Sequence, residues 1–237
     1  NEIFIENIDH PIKFYHQWNM DKKFHGDFTQ QDGLPEIAIE RATRVLRSGR
    51  LHRYNLGKDE IGEVGSLEIE FAKFLNVKYC LAVASGGYTL STALRALGVG
   101  HGDNVLTNAF TLAPVPGAIA SVGATPIFVG VTENLVIDLD DLEAKSKNAK
   151  VLMLSHMRGH ICDMDKLLSI CASNNIQLIE DCAHTMGAKW GNRWSGTFGV
   201  IGCYSTQTYK HINSGEGGLL VTNNPDIMAK ATMLSGS

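Results

Sequence analysis

The run Val77-Lys78-Tyr79-Cys80-Leu81-Ala82-Val83-Ala84-Ser85-Gly86-Gly87-Tyr88-Thr89 passes from an apolar, strand-like segment into a Ser-Gly-Gly turn. Leu90, Ala93, Leu94 and Leu97 then recur at helical spacing. Strand, glycine turn and helix in that order form the opening of an α/β layer unit. Free backbone N–H groups at such a helix start, with the Ser85 hydroxyl, can bind an anion such as a phosphate. Taken alone, the same turn serves equally as an ordinary strand-to-helix connection.

Working outward, the unit repeats. Strand-like runs fall near residues 79–84, 104–107, 125–129, 150–155, 176–181, 200–204 and 218–222. Helical patterns lie between most of them, near 88–98, 113–122, 138–147, 163–174 and 225–234. Short apolar strands separated by helices predict an α/β fold with a mainly parallel seven-stranded sheet covered by helices on both faces. Ligands bind such sheets beyond the C-terminal ends of the strands, where Ser85, Asp181 and Ser205 all fall. Upstream, helical spacing appears at Leu34, Ile37, Ala38, Val45 and Leu46, ending at Gly49, and again at Leu67, Phe71, Phe74 and Leu75. Residues 1–33 scatter Phe4, Phe14, Tyr15, Trp18, Phe24 and Phe28 through polar sequence without either period. They read as an N-terminal arm or extension laid over the domain or a partner subunit, with a loosely ordered tail as the alternative. Residues 34–237 then form one ligand-binding domain, with no internal repeat or low-complexity linker.

Two residues carry chemistry. Lys210 sits in the polar, Gly-flanked segment Thr206-Gln207-Thr208-Tyr209-Lys210-His211-Ile212-Asn213-Ser214-Gly215 between two apolar runs, and Asp181 ends the run Leu178-Ile179-Glu180-Asp181. A desolvated lysine can hold an aldehyde cofactor as a Schiff base, and a buried carboxylate can keep a pyridine nitrogen protonated. That pair is what pyridoxal 5'-phosphate (PLP) requires of a protein. Singly, Lys210 also reads as a surface lysine and Asp181 as a strand-end turn former. A second phosphate hydroxyl is available from Ser205, five residues before the lysine.

Composition agrees with an enzyme core. The chain has 237 residues, 44% hydrophobic, with 24 glycines and a formal net charge of −4. It can bury one large core, and its charge balance points to no nucleic-acid or membrane partner. Cys80, Cys162, Cys171, Cys182 and Cys203 are odd in number, form no C-x-x-C pair and lie mostly in apolar runs, so they read as core thiols of a reducing, cytoplasmic compartment. No stretch has membrane-spanning length and the N-terminus is not signal-like.

Two rival motifs are set aside. His156, His160, Cys162 and Asp163 have ligand chemistry, but they follow a strand and include Gly159, so the helical spacing a metal would use is missing and no metal is expected. His156 and Arg158 are left as substrate or ring contacts, or as parts of a satisfied turn. Gly98-Val99-Gly100-His101-Gly102 follows a helix and precedes a strand, the reverse of a dinucleotide fingerprint.

Taken together, these segments resemble the DegT/StrS-type aminotransferases, fold type I PLP enzymes that mostly aminate keto sugars bound to nucleotides. The resemblance runs from about Leu34 to Ser237. It rests on Ser85-Gly86-Gly87, Gly102-Asp103-Asn104-Val105, His156-Met157-Arg158-Gly159, Glu180-Asp181-Cys182-Ala183-His184, and the run from Ser205 through Lys210 to Gly215-Glu216-Gly217-Gly218.

The resemblance implies roles by position: Lys210 as the imine lysine, Asp181 as the pyridinium partner and His184 beside the ring, near its phenolic oxygen. Ser85, Gly86, Gly87 and Ser205 would hold the phosphate. Two positions depart from the family pattern. Gly87 stands where threonine is usual, with Thr89 nearby. Leu112, after Thr111, stands where an aromatic side chain usually covers the ring, with Phe110 two residues before it.

Relatives that remove a hydroxyl carry histidine in place of the lysine, whereas here His211 sits one place further on. The implied activity is transfer of an amino group from an amino-acid donor such as glutamate to a keto substrate, in a homodimer. PLP chemistry of another type (elimination, cyclisation, decarboxylation) and a non-catalytic PLP-binding subunit are the alternatives. The family continues into a smaller C-terminal domain that this chain is expected to lack.

Overall fold

A computed structural model describes residues 33–54 and 56–236, so the arm assigned to residues 1–33 lies, but for Gly33, outside the described residues. Two helices open it, α1 (Glu36–Ser48) and α2 (Glu63–Leu75). The alternating part follows as β1 (Tyr79–Val83), α3 (Gly86–Ala96), β2 (Asn104–Asn108), α4 (Pro114–Ser121), β3 (Thr125–Val129), α5 (Leu139–Lys145), β4 (Val151–Ser155), α6 (Met164–Asn174) and β5 (Gln177–Asp181). A short hairpin, β6 (Lys189–Trp190) and β7 (Arg193–Trp194), leads to β8 (Ile201–Ser205), β9 (Gly218–Thr222) and α7 (Pro225–Ser235).

Seven strands form one sheet in the order β1-β9-β8-β5-β4-β2-β3. The neighbours from β8 to β3 run parallel, and β9 is antiparallel to both β1 and β8. The seven expected strands are therefore all present, with boundaries shifted by a residue or so, in a mainly parallel sheet. The strand period of two sorts side chains between its faces. Val105, Val151, Met153, Ile179 and Cys203 pack under α3, α4 and α7, while Leu106, Leu152, Leu154 and Leu178 pack under α5 and α6. On the second face, Phe71 and Leu75 of α2 cover Tyr204, Leu219 and Val221.

Polar side chains cap four of the helices. Ser85, Asp138, Asp163 and Asn224 each accept backbone N–H groups at the starts of α3, α5, α6 and α7. The open edge at β1 is blocked by side chains: Glu68 accepts the Ala82 N–H at 2.7 Å, Arg53 donates to the Ala82 carbonyl at 2.9 Å, and the two pair at 2.6 Å. The amphipathic pattern of α1 forms a helix as expected, yet none of its residues is buried.

Candidate active site

The alternation that builds the sheet also aims the site. Asp181, two residues after the α3-facing Ile179, points to the same face, and Glu180 points to the other. β8 lies beside β5, with Cys203 opposite Asp181, so Ser205 reaches the same sheet edge. α3 starts at that edge as well. Its N-terminus lies against β8 so closely that a Cβ on Gly86 would sit 2.7 Å from Ser205 Cβ, which is why glycine is required there. Ser85 caps the helix by accepting the Tyr88 N–H at 3.1 Å, leaving Gly86 and Gly87 in the first turn, where N–H groups have no intrahelical acceptor.

These elements enclose a cavity of about 360 Å³. Its lining brings together Ser85, Gly86, Gly87, Leu112, Asp181, His184, Ser205 and Lys210, the positions to which the family resemblance pointed, but neither His156 nor Arg158. Ser85, Gly86 and Gly87 lie at the α3 end, Lys210 on the loop that follows β8 and His184 on the loop that follows β5. Leu112 is in place as an apolar wall. The cavity also takes in Ser155, Met157, Gln207 and Glu216, which sequence reasoning did not assign to it.

Asp181 is held by two donors: the Ala183 N–H to Oδ1 at 3.1 Å and the Ser155 hydroxyl to Oδ2 at 3.0 Å. Ser155 is itself fixed, because the Asn108 amide bonds both its N–H and its carbonyl. Each carboxylate oxygen keeps a lone pair for a further donor from the cavity.

His184 and Lys210 meet at 2.9 Å, Nε2 to Nζ, and the Arg158 N–H donates to the other ring nitrogen, Nδ1, at 3.2 Å. A ring nitrogen that accepts carries no proton, so the neutral imidazole must bear its hydrogen on Nε2. That N–H points at Nζ, which can accept only as an uncharged amine. The local electrostatics run the same way. Burial, reinforced by the Arg158 charge and opposed by Asp181, holds the lysine below its usual range. Burial and then the Lys210 charge lower His184. The arrangement can present a neutral amine nucleophile beside a hydrogen-bond donor of fixed tautomer.

Of the two readings left open for His156, the structure shows the satisfied residue and not the cavity contact. It is buried, with Nε2 3.1 Å from Glu180 Oε2, and does not line the cavity. Glu180 also accepts N–H groups from Gly196, Phe198 and Gly199 at 2.7–2.8 Å, so its oxygens are filled by donors. His156, Glu180 and Cys182 are near enough together to suggest a metal, but those N–H groups occupy the carboxylate, and the thiol is buried and pushed well above its ordinary range. Burial likewise raises Cys171 to about 11 and Cys162 to about 12, as inert core thiols. A larger cleft of about 730 Å³ lies between the 45–65 segment and the end of β1, and its Arg50 and Glu60 are paired at 2.8 Å.

Comparison with known proteins places this geometry in a class. An aminotransferase from Psychrobacter cryohalolentis superposes with a TM-score of 0.79 at 31% identity, covering 86% of this chain and 51% of that one. A GDP-4-keto-6-deoxymannose-3-dehydratase, solved with a trapped PLP-glutamate geminal diamine, gives 0.75 at 25% identity, covering 84% and 52%. The fold is that of the fold type I PLP enzymes, and the cofactor is PLP. The cavity suits it, with orphan N–H groups at one end, a carboxylate in the floor and an uncharged amine at the rim.

Residues 35–237 match the DegT/DnrJ/EryC1/StrS aminotransferase family, and the chain belongs to that family. GDP-perosamine synthase of Escherichia coli O157:H7 is 37% identical over 175 residues, 73% of this chain and 48% of the relative. The chain spans about half the length of the curated relatives it matches. Among the described residues, no helix is long and apolar enough to cross a membrane.

Proposed function

We propose that residues 34–237 are the PLP-binding large domain of an aminotransferase that moves an amino group from an amino-acid donor to a keto substrate, a keto sugar or related small metabolite. The observation that carries this reading is the convergence of Lys210, Asp181, His184, Ser205 and the Ser85-Gly86-Gly87 turn on one cavity from separate strand ends. Bound PLP supplies an electron sink for the carbon that bears the substrate nitrogen. Lys210 anchors its aldehyde and moves the proton at that carbon, and Asp181 keeps the ring nitrogen protonated. His184 would stand beside the ring near its phenolic oxygen, Leu112 would cover a ring face, and Ser85, Gly86, Gly87 and Ser205 would hold the phosphate.

The keto-sugar substrate class is supported by the name of the GDP-perosamine synthase relative. A homodimer in the cytoplasm, with residues 1–33 as an arm, completes the reading. It is supported by the exposed apolar side chains Ile37, Leu46, Leu51 and Ile61 on the N-terminal part of the domain, and by five cysteines that are all free.

The test is spectroscopic. Full-length protein given PLP is expected to show a visible absorption band that moves to the near ultraviolet on addition of L-glutamate or L-glutamine. Borohydride should fix the cofactor to Lys210, as read by peptide mass spectrometry. A band indifferent to both donors would remove the aminotransferase reading, and fixation persisting in Lys210→Ala would remove the lysine assignment.

A further inference from the structure

A second cleft, of about 360 Å³, shares Ala183, His184 and Lys210 with the first cavity and is lined besides by Arg158, Tyr209 and His211. It contains no acidic side chain. Burial lowers both His184 and Lys210 most, and the Arg158 charge adds to it at both groups against the opposing charge of Asp181. Among the described residues Arg53 is paired with Glu68, Arg50 with Glu60 and Arg41 with Glu63, whereas the Arg158 guanidinium has neither a hydrogen bond nor an ion pair. Its position is held at a cost. Arg158 adopts φ 57° and ψ 20°, a left-handed conformation disfavoured for a side-chain-bearing residue, followed by Gly159 at φ 87°. The turn therefore brings the Arg158 N–H to His184 and sets Arg158, with its unpaired guanidinium, in the lining of the cleft that Lys210 also lines.

We infer that Arg158 and His211 form an oxyanion subsite that takes the α-carboxylate of the amino donor, an inference that rests on the functional reading above. The cofactor's phosphate is served at the opposite end, by Ser85-Gly86-Gly87 and Ser205, so this charge remains for the substrate. An amino acid carries its carboxylate on the carbon that bears the reacting nitrogen. A group that binds this carboxylate must therefore stand within one side chain of Lys210, as Arg158 does. A guanidinium fits a carboxylate through two parallel N–H···O bonds, and His211 closes the other side.

The test uses full-length protein loaded with PLP and compares L-glutamate with 4-aminobutyrate, the same molecule without its α-carboxylate, in the first half-reaction. Arg158→Gln is expected to lower the ratio of kcat/KM for glutamate over 4-aminobutyrate about 10- to 100-fold, the effect of losing one charged hydrogen-bonded contact. Arg158→Lys should recover part of the ratio, and His211→Asn should lower it by a smaller factor. In parallel, calorimetry with glutarate, which has carboxylates but no amine, should show weaker binding to Arg158→Gln by about 10-fold or more. An unchanged ratio with unchanged glutarate affinity overturns the subsite. Weakened binding of GDP with glutarate unaffected also overturns it, by giving the charge to a phosphate of the keto substrate. Because glutarate binding needs no turnover, a protein that fails to transaminate still decides the subsite, while the absorption change decides the reaction.

Discussion

The substitution Glu180→Gln isolates the anchor beneath the site. Glu180 is fully buried and accepts three backbone N–H groups, from Gly196, Phe198 and Gly199, and lies 3.1 Å from His156 Nε2. A glutamine of the same shape keeps one acceptor oxygen. Placed toward Phe198 and Gly199, it retains those two bonds in weaker, neutral form, while its amide NH₂ faces the Gly196 N–H, donor against donor. Stranding one buried N–H costs about 1–3 kcal/mol, and each bond that loses its charge about 0.5–1.5 kcal/mol. Relief from burying a charge offsets part of this, leaving a net loss of about 2–4 kcal/mol. For a domain of this size, that is a fall in Tm of about 4–16 °C.

Differential scanning calorimetry of full-length protein reads the change, and a double-mutant cycle with His156→Gln separates the histidine's share. The loop these bonds pin, between β5 and β8, carries His184, so the visible band of the PLP-loaded variant should shift as well. A Tm within 1 °C of wild type would refute the claim that a carboxylate is needed there.

Further outcomes follow from the same geometry. Asp181→Asn should keep the borohydride-fixed cofactor yet lose about 100-fold or more in turnover, and near-normal turnover would count against its role at the ring nitrogen. Gly86→Ala adds a Cβ 2.7 Å from that of Ser205, so helix α3 must shift away from β8; weaker PLP retention on gel filtration is expected, and unchanged retention would argue against this end as the phosphate site.

The pH dependence has a definite sign. Because burial lowers the Lys210 pKa from 10.5, the reactive neutral amine persists to lower pH than in a free lysine, and the rate of PLP capture should fall as pH drops through a midpoint below 10.5. A midpoint at or above that value, from timed borohydride quenching, would refute the neutral-lysine arrangement.

The parts of the structure that were readable in the sequence are those fixed by local pattern. Seven apolar runs of strand length, Ser85 at the start of α3, and Lys210 in its glycine-flanked loop each signal through neighbours a few residues away. What escaped depends on pairing across the sheet. Nothing local says that β9 inserts antiparallel between β1 and β8, because strand direction is set by the connection and not by the strand's own residues.

Glu180 shows the same limit at the site. The sequence singles out Asp181 and gives Glu180 no role, and the alternation of β5 sends the first carboxylate to the cavity and the second beneath the sheet to hold a loop. For His156 the sequence leaves a ring or substrate contact and a satisfied turn both open, and the same parity argument explains why the second holds: its partner is the carboxylate that faces away from the cavity. Ser155 and Asn108 gave no signal because their work, fixing an Asp181 oxygen, requires β2, β4 and β5 to be adjacent, with the ends of β4 and β5 in register. A residue's chemistry can thus be listed from sequence, but which of two neighbouring acids performs it is decided by which face of the strand it occupies.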